Sequence, residues 1–366
     1  MTLAVALIAD DLTGALDATA PFAARGLSTA VAVSPAALGH ALASGAAVVG
    51  VSTGTRERPD EAAATRAAEA LRQARPGIVF KKIDSRLKGA LVAETTAILD
   101  AFALDRILLS PAIPDLGRFV AAGKLSGFGI AEPIDIAARF AGLRAALTIP
   151  DDDALASAIA GALAEIPPPL FVGARGLAAA LAVHHGDAIA APAFPAPGRT
   201  LVVVGSTDPI TTRQVARLRA LLPAATFHDA PDGRLAAAAR LAGDIAILVA
   251  TAAETALPSG DVADKLAAAV ERLVKDLVPD TLILTGGETA AAVLGRLRLD
   301  VLSVAGEALP GLPFAEASLG PRPLTIVTKS GGFGGDDTLA TLLRLLDGGG
   351  AAPRLDTQPL ALERQS

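Results

Sequence analysis

Residues 282–289, LILTGGET, and residues 328–337, TKSGGFGGDD, decide how this chain is read. In each, an apolar run of strand length meets glycines, and the first then enters a helical stretch over 290–297. Backbone N–H groups left free at such turns can hold a phosphate. Two of these turns in one half of a chain predict a nucleotide site. The common templates are absent: there is no G-x-x-x-x-G-K-[ST], and no strand is followed by G-x-G-x-x-G. A nucleotide here would rest on a cradle of another kind. Glycines also close ordinary strand-to-helix turns, so neither stretch is decisive alone.

A length of 366 residues fits about two domains with a substantial core. The apolar fraction of 52% is carried by alanine, with only 3% aromatics and no Trp or Tyr, and no mechanism follows from it. The net charge of −6 is dispersed and there is no basic run with interleaved aromatics, which argues against a nucleic-acid partner and for a small ligand. The absence of cysteine excludes disulfides, thiolate metal sites and a cysteine nucleophile, and is compatible with a reducing cytoplasm. The apolar run at the start stops at Asp10, too short for a signal peptide or a membrane span. A soluble cytoplasmic protein is expected.

Residues 3–9 form a continuous apolar run that reads as a strand buried on both faces of a mainly parallel sheet. It ends at Asp10 and Asp11, before a helix that Thr13 can cap and that Gly26 closes. Two acids at the carboxyl end of a strand stand where open α/β sheets bind ligands, although capping the helix would occupy one of them. A strand over 46–52 brings Arg56 or Arg58 toward the same crevice. The next, over 78–83, ends in KKIDSRLKG, a dense cluster of Lys81, Lys82, Asp84, Ser85, Arg86 and Lys88. Alternation sends Lys81 and Lys82 to opposite faces, so one of them can meet a ligand. Prolines and glycines over 111–129 predict a shaped loop without regular structure, with Arg118 as its charged contributor. His184 and His185 read as surface residues at a helix end, with no further ligands spaced for a metal.

The Ala- and Pro-rich residues 188–199 are the best linker candidate. Beyond them a strand over 201–204 ends in GSTDP and opens a second α/β half. Its further strands are expected at 245–250, 282–285, 299–304 and 324–328, and the glycine-rich tail from 348 is expected to be poorly ordered. The fold class is therefore α/β, with two domains of mainly parallel sheet, residues 1–190 and 199–347, and a substrate cleft between them.

Seven segments, taken in order, resemble the four-carbon acid sugar kinase family: IADDLTGALD (8–17), KKIDSRLKG (81–89), PAIPDLGR with a following GKL (111–125), VGARGLAAAL (172–181), GSTDPITTRQ (205–214), GGETAAAVL (286–294) and KSGGFG (329–334). They span nearly the whole chain. The resemblance implies phosphoryl transfer from ATP, with magnesium, to a hydroxyl of a short sugar acid such as threonate, erythronate or an oxo-tetronate. It implies an N-terminal half that holds the acid through Arg56, Lys82, Asp84, Lys88 and Arg118, with Asp10 or Asp11 as the catalytic base. ATP would lie among Ser206, Gly286, Gly287, Glu288, Thr289, Gly331 and Gly332, with Lys329 nearby. Asp336 and Asp337, beyond the glycine-rich cradle, are rival bases. No metal ligand is assigned. The expected partners are the sugar acid and ATP, without nucleic acid or membrane, and a homodimer is allowed.

The chain departs from the family where it has Arg86 and Lys88 in place of the usual D-S-T-L-R-G spacing, Phe119 and Val120 in place of two threonines, and Asp208 where Ser is usual. These changes bear on which acid is held, since arginine grips a carboxylate with a planar fork and lysine does not. A nucleotide-dependent sensor that has lost turnover is the alternative reading. An NAD-dependent oxidoreductase is disfavoured by the missing dinucleotide fingerprint.

Overall fold

The computed structural model describes residues 3–56, 60–186, 194, 198–222, 225–236, 244–253 and 257–346. The expected linker lies largely outside the described residues, as do the tail and Arg58. In the first half the elements run β1 (Val5–Ala9), α1 (Leu12–Ala23), β2 (Thr29–Ala32), α2 (Leu38–Ala43), β3 (Val48–Ser52), α3 (Glu61–Gln73), β4 (Ile78–Lys82), α4 (Leu91–Phe102), β5 (Arg106–Ser110), β6 (Arg118–Ala121), β7 (Lys124–Gly127), β8 (Ile134–Asp135), α5 (Ile136–Arg139), β9 (Ala146–Thr148), α6 (Leu155–Leu163), β10 (Leu170–Gly173) and α7 (Arg175–Ala182). The second half contributes β11 (Thr200–Val204), α8 (Pro209–Leu221), β12 (Thr226–Pro231), β13 (Ile245–Thr251), α9 (Ser259–Leu277), β14 (Thr281–Thr285), α10 (Gly287–Arg296), β15 (Val301–Leu309), β16 (Leu312–Leu319), β17 (Arg322–Lys329) and α11 (Thr338–Leu346).

Both halves are α/β, and their sheets join into one of 14 strands in the order β12-β13-β11-β14-β17-β16-β15-β2-β3-β1-β4-β10-β5-β9. The fully apolar runs become the central strands: all five residues of β1, β3, β11 and β14 are buried. Strands covered on both faces need no polar alternation. The join is antiparallel, through β2 with β15, β15 with β16 and β16 with β17. The parallel strands of the two halves consequently run in opposite senses along the sheet. Their carboxyl ends nevertheless meet: Ser330, just after β17, donates from Oγ to Thr13 Oγ1 at 3.1 Å.

Helix α1 sits at that seam. All twelve of its residues are buried, Thr13, Asp17 and Thr19 included, so the helix is packed on every side. It packs against β3 and β15 and touches α10, and one continuous core runs from Leu7, Phe22 and Phe80 to Leu201, Leu284 and Leu294. Two smaller cores cover the opposite faces of the halves, one around Ile8, Val51 and Leu109, the other around Val202, Ile283 and Leu342.

Residues 111–129 correct the expectation of an irregular loop: β6 and β7 form a hairpin, with β8 as a third strand. Ala122 and Gly123 both have positive φ, 49° and 70°, the twist of a two-residue turn that suits a hairpin. The glycine there closes the ladder. The expected strand over 299–304 extends through β15 into the hairpin with β16, and β12 adds an outer strand; neither β16 nor β12 was expected. His184 is exposed, but His185 is half-buried with its ring edge-on to Phe22 at 5.8 Å. Among the described residues no helix is long and apolar enough to cross a membrane.

Candidate active site

The first-half site grows from the ends of β1, β3 and β4. Asp10 follows β1 and is buried, and Arg56, from the segment after β3, grips it with a fork, Nε to Oδ2 at 2.9 Å and Nη2 to Oδ1 at 2.7 Å. Burial acts to raise the Asp10 carboxyl, but the charges of Arg56, Lys81 and Lys82 and the hydrogen bonds from Arg56 prevail and hold it below the usual carboxylate range. Asp11 is the N-cap of α1: Oδ1 accepts from Gly14 N–H at 2.9 Å, and Oδ2 accepts from Thr13 Oγ1 at 2.8 Å and from Arg56 Nη1 at 2.6 Å. Both carboxylates are thus fixed in direction, and Asp11 is the more exposed.

The two lysines that end β4 diverge. Lys81 pairs in the core with Glu94, which also accepts from Thr55 Oγ1. Lys82 turns to the start of α1, donates to the Ile83 carbonyl at 2.8 Å, and has no ion pair among the described residues. An ammonium buried beside Asp11 in no direct ion pair among the described residues leaves room for an anionic ligand. Asp84 organises the loop that follows, its Oδ1 accepting from Arg86 N–H at 2.9 Å and from Lys88 N–H at 3.4 Å. The Lys88 side chain is exposed. Arg118 is buried under the same loop, donating from Nη1 to Ser85 Oγ and from Nε to the Phe128 carbonyl at 2.8 Å. Burial and the neighbouring charge of Arg86 push its guanidinium below the ordinary arginine value.

The expected nucleotide side is built from the two glycine turns. Gly286 has φ 102°, and α10 begins directly after it without a side-chain cap, so its first amides remain open. Ser206, which follows β11, lies between the turns: a Cβ on Gly331 would stand 2.2 Å from Ser206 Oγ, and one on Gly286 would stand 3.3 Å from Ser206 N. Thr289 is buried against Gly205, and Glu288 is half-buried in the first turn of α10.

Beneath the second turn, carbonyls are drawn inward. Thr211 Oγ1 donates to Gly331 O at 2.7 Å, and Gln214 Nε2 donates to Phe333 O at 3.0 Å and Gly335 O at 2.8 Å. Lys329 donates to Ser330 O at 2.9 Å and Gly331 O at 3.3 Å. With carbonyls held below, the amides of Gly331 and Gly332 donate to no backbone group among the described residues. That arrangement is an anion cradle. Lys329 is wholly buried, and burial lowers its ammonium to about 7 against the opposing charge of Asp208.

The sequence-derived residues thus meet from two sides. A Cβ on Gly287 would lie 3.0 Å from Asp11 Oδ2, so the carboxylate at the start of α1 faces the start of α10. Asp336 and Asp337 point elsewhere, into exposed ion pairs with Arg213 and Arg217 of α8 at 3.0 and 2.6 Å. Thr211 and Gln214 were missed, and Thr13, expected to cap α1, lies inside it and donates to the capping Asp11. Thr211 and Gln214 are polar residues three apart on one helical face, a signal the sequence does carry. A buried clasp was missed as well: Arg175 of α7 donates to Glu307 of β15 at 2.8 and 2.7 Å, binds Asp115, and lies 3.5 Å from Asp17. Among the described residues no three metal-binding side chains converge. A magnesium ion carried by a nucleotide would need only one or two carboxylates beside the phosphates, and Asp208, next to Gly332, would fit that need.

Residues 5–131 match a family model described as a sugar-binding N-terminal domain, and residues 201–339 match one described as a nucleotide-binding C-terminal domain. D-threonate kinase of Bordetella bronchiseptica is 32% identical, with 92% of this chain and 95% of that protein aligned. D-threonate kinase of Cupriavidus necator is 30% identical over 91% and 95% of the two chains, and 3-oxo-tetronate kinase of Methylobacterium radiotolerans 27% identical over 94% and 100%. Two solved structures share the fold. One is a Salmonella typhimurium LT2 protein with a TM-score of 0.68 at 22% identity, covering 92% of this chain and 98% of its own. The other is a Haemophilus influenzae protein with a TM-score of 0.63 at 21% identity, covering 94% and 99%.

Proposed function

The chain belongs to the four-carbon acid sugar kinase family, and on that premise we propose that it moves the γ-phosphoryl group of ATP to a hydroxyl of a four-carbon sugar acid held in the first half. The observation that carries this reading is the placement of Asp11 opposite Gly287, where an acceptor hydroxyl and a nucleotide phosphate would meet. D-threonate and 3-oxo-tetronate, named for the relatives, set the size of the acid.

The acid's carboxylate is assigned to the cationic wall of Lys82 and Arg118, with the loop 84–89 closing over it. The triphosphate lies on the amides of Gly331 and Gly332 and at the open first turn of α10. The acceptor oxygen forms its bond to the γ-phosphorus as the bond to the bridging oxygen breaks, and ADP leaves with that electron pair. Asp11, oriented by Thr13 and Arg56, takes the hydroxyl proton. Asp10, whose oxygens are both occupied by Arg56, holds that arginine in place. Such chemistry asks mainly for alignment and charge compensation. Magnesium bound with ATP would neutralise part of the phosphate charge.

The test is ADP release from MgATP over a panel of three- to six-carbon aldonic and oxo-aldonic acids, with neutral sugars as controls. Turnover with a tetronate is expected. Equal activity on neutral sugars, or none with any acid, would overturn the assignment.

A further inference from the structure

We propose that Arg86 reaches from the sugar-acid half to the nucleotide cradle and binds the terminal phosphate of ATP. This rests on the kinase reading above and adds a residue to it. Among the described residues the cradle built by the second half has open amides but no free cation of its own, because the ammonium of Lys329 is turned under the loop to the carbonyls of Ser330 and Gly331. Arg86 fills that deficit from the opposite wall. A Cβ on Gly332 would lie 3.3 Å from Arg86 Nη2 and 3.6 Å from its Cζ, so the guanidinium rests against the glycine whose amide is open.

Among the described residues the guanidinium donates no hydrogen bond. Among the described residues its only ionic partner is Asp208, at 3.7 Å from Nη2 to Oδ2, which is beyond hydrogen-bond length. Its backbone, by contrast, is fixed by the bond from its N–H to Asp84 Oδ1. Arg118 stands close enough for the charge of Arg86 to lower its pKa, so two guanidinium groups share this wall and an anion would relieve their repulsion. Arg86 presents five N–H donors in a planar fork, a geometry that matches phosphate. The contact lies with the nucleotide half, since Asp208 caps α8 there and Gly332 belongs to the cradle. On transfer, Arg86 compensates charge on the phosphoryl oxygens while the acceptor oxygen replaces the bridging oxygen at phosphorus. No proton moves through it.

The test compares binding of a non-hydrolysable ATP analogue and of ADP, each with magnesium, to the full chain and to Arg86→Ala and Arg86→Lys, alongside steady-state kinetics. One charge-assisted contact to the terminal phosphate predicts that Arg86→Ala weakens the ATP analogue about tenfold to a hundredfold and ADP by less than about twofold. It predicts a fall in kcat, and partial recovery in Arg86→Lys, which keeps the charge without the fork. Equal losses for the two nucleotides, or a loss confined to KM for the sugar acid, would overturn the proposal. Failure of the unsubstituted chain to bind ATP would overturn the kinase reading itself, so the two failures are distinguishable.

Discussion

Asp17→Asn tests the physics of the seam between the halves. Asp17 lies inside α1, facing Arg175, whose guanidinium is shared with Glu307 and Asp115. Its Oδ1 is buried without a hydrogen-bond partner, and burial raises the carboxyl to about 7 against the attraction of Arg175 and Lys82. Glu307 and Asp11 add to the rise. In the unfolded chain the same group titrates near its ordinary 3.8. Between these values the folded protein keeps a proton that the unfolded chain has released. The resulting stabilisation is complete below about pH 4 and is lost as pH rises through about 7, a swing of up to about 4 kcal/mol. Asparagine fills the same space and cannot titrate. Urea unfolding of both proteins at steps from pH 4.5 to 8 isolates the effect, because the other carboxylates cancel in the difference. The variant should gain on the parent as pH rises. A difference that stays flat with pH would refute the reasoning, and so would one that moves the other way.

Three further outcomes follow from the same geometry. Arg56→Met leaves Asp10 buried without its partner and should cost about 3–5 kcal/mol in denaturant unfolding. Asp11→Asn should lower kcat by about 10²- to 10⁴-fold while nucleotide binding, followed by calorimetry, stays near the parent value. Gln214→Leu frees the carbonyls of Phe333 and Gly335 and should raise KM for ATP with little change in KM for the acid.

Much of the fold was legible because its strands are short apolar runs punctuated by acids, glycines and prolines. Residues 3–9 and 282–285 could hardly be anything but buried strands, and the residues after them had to lie at strand ends. The candidate site was legible to that extent: Asp10, one of Lys81 and Lys82, and the glycines of both turns could be named from local pattern, while the choice of Lys82 came with the family resemblance. The β6–β7 hairpin was misread because glycine and proline were taken as breakers, although Val120 is buried and Phe119 exposed in the alternation of a strand. The clasp of Arg175 on Glu307 was invisible, since ion pairs between distant segments leave no local period.

The sequence by itself therefore determined the two α/β halves, the strand ends that carry the acids and lysines, and the glycine turns that leave amides open, since each follows from local burial pattern and backbone conformation. Only the tertiary structure decided that β2 pairs with β15, that Asp11 faces Gly287, and that Arg86 reaches Gly332. The reason is physical. A strand buried on both faces shows no alternation that would mark its neighbour or its register. A charged side chain at a strand end shows its charge but not the group across the cleft that it will meet.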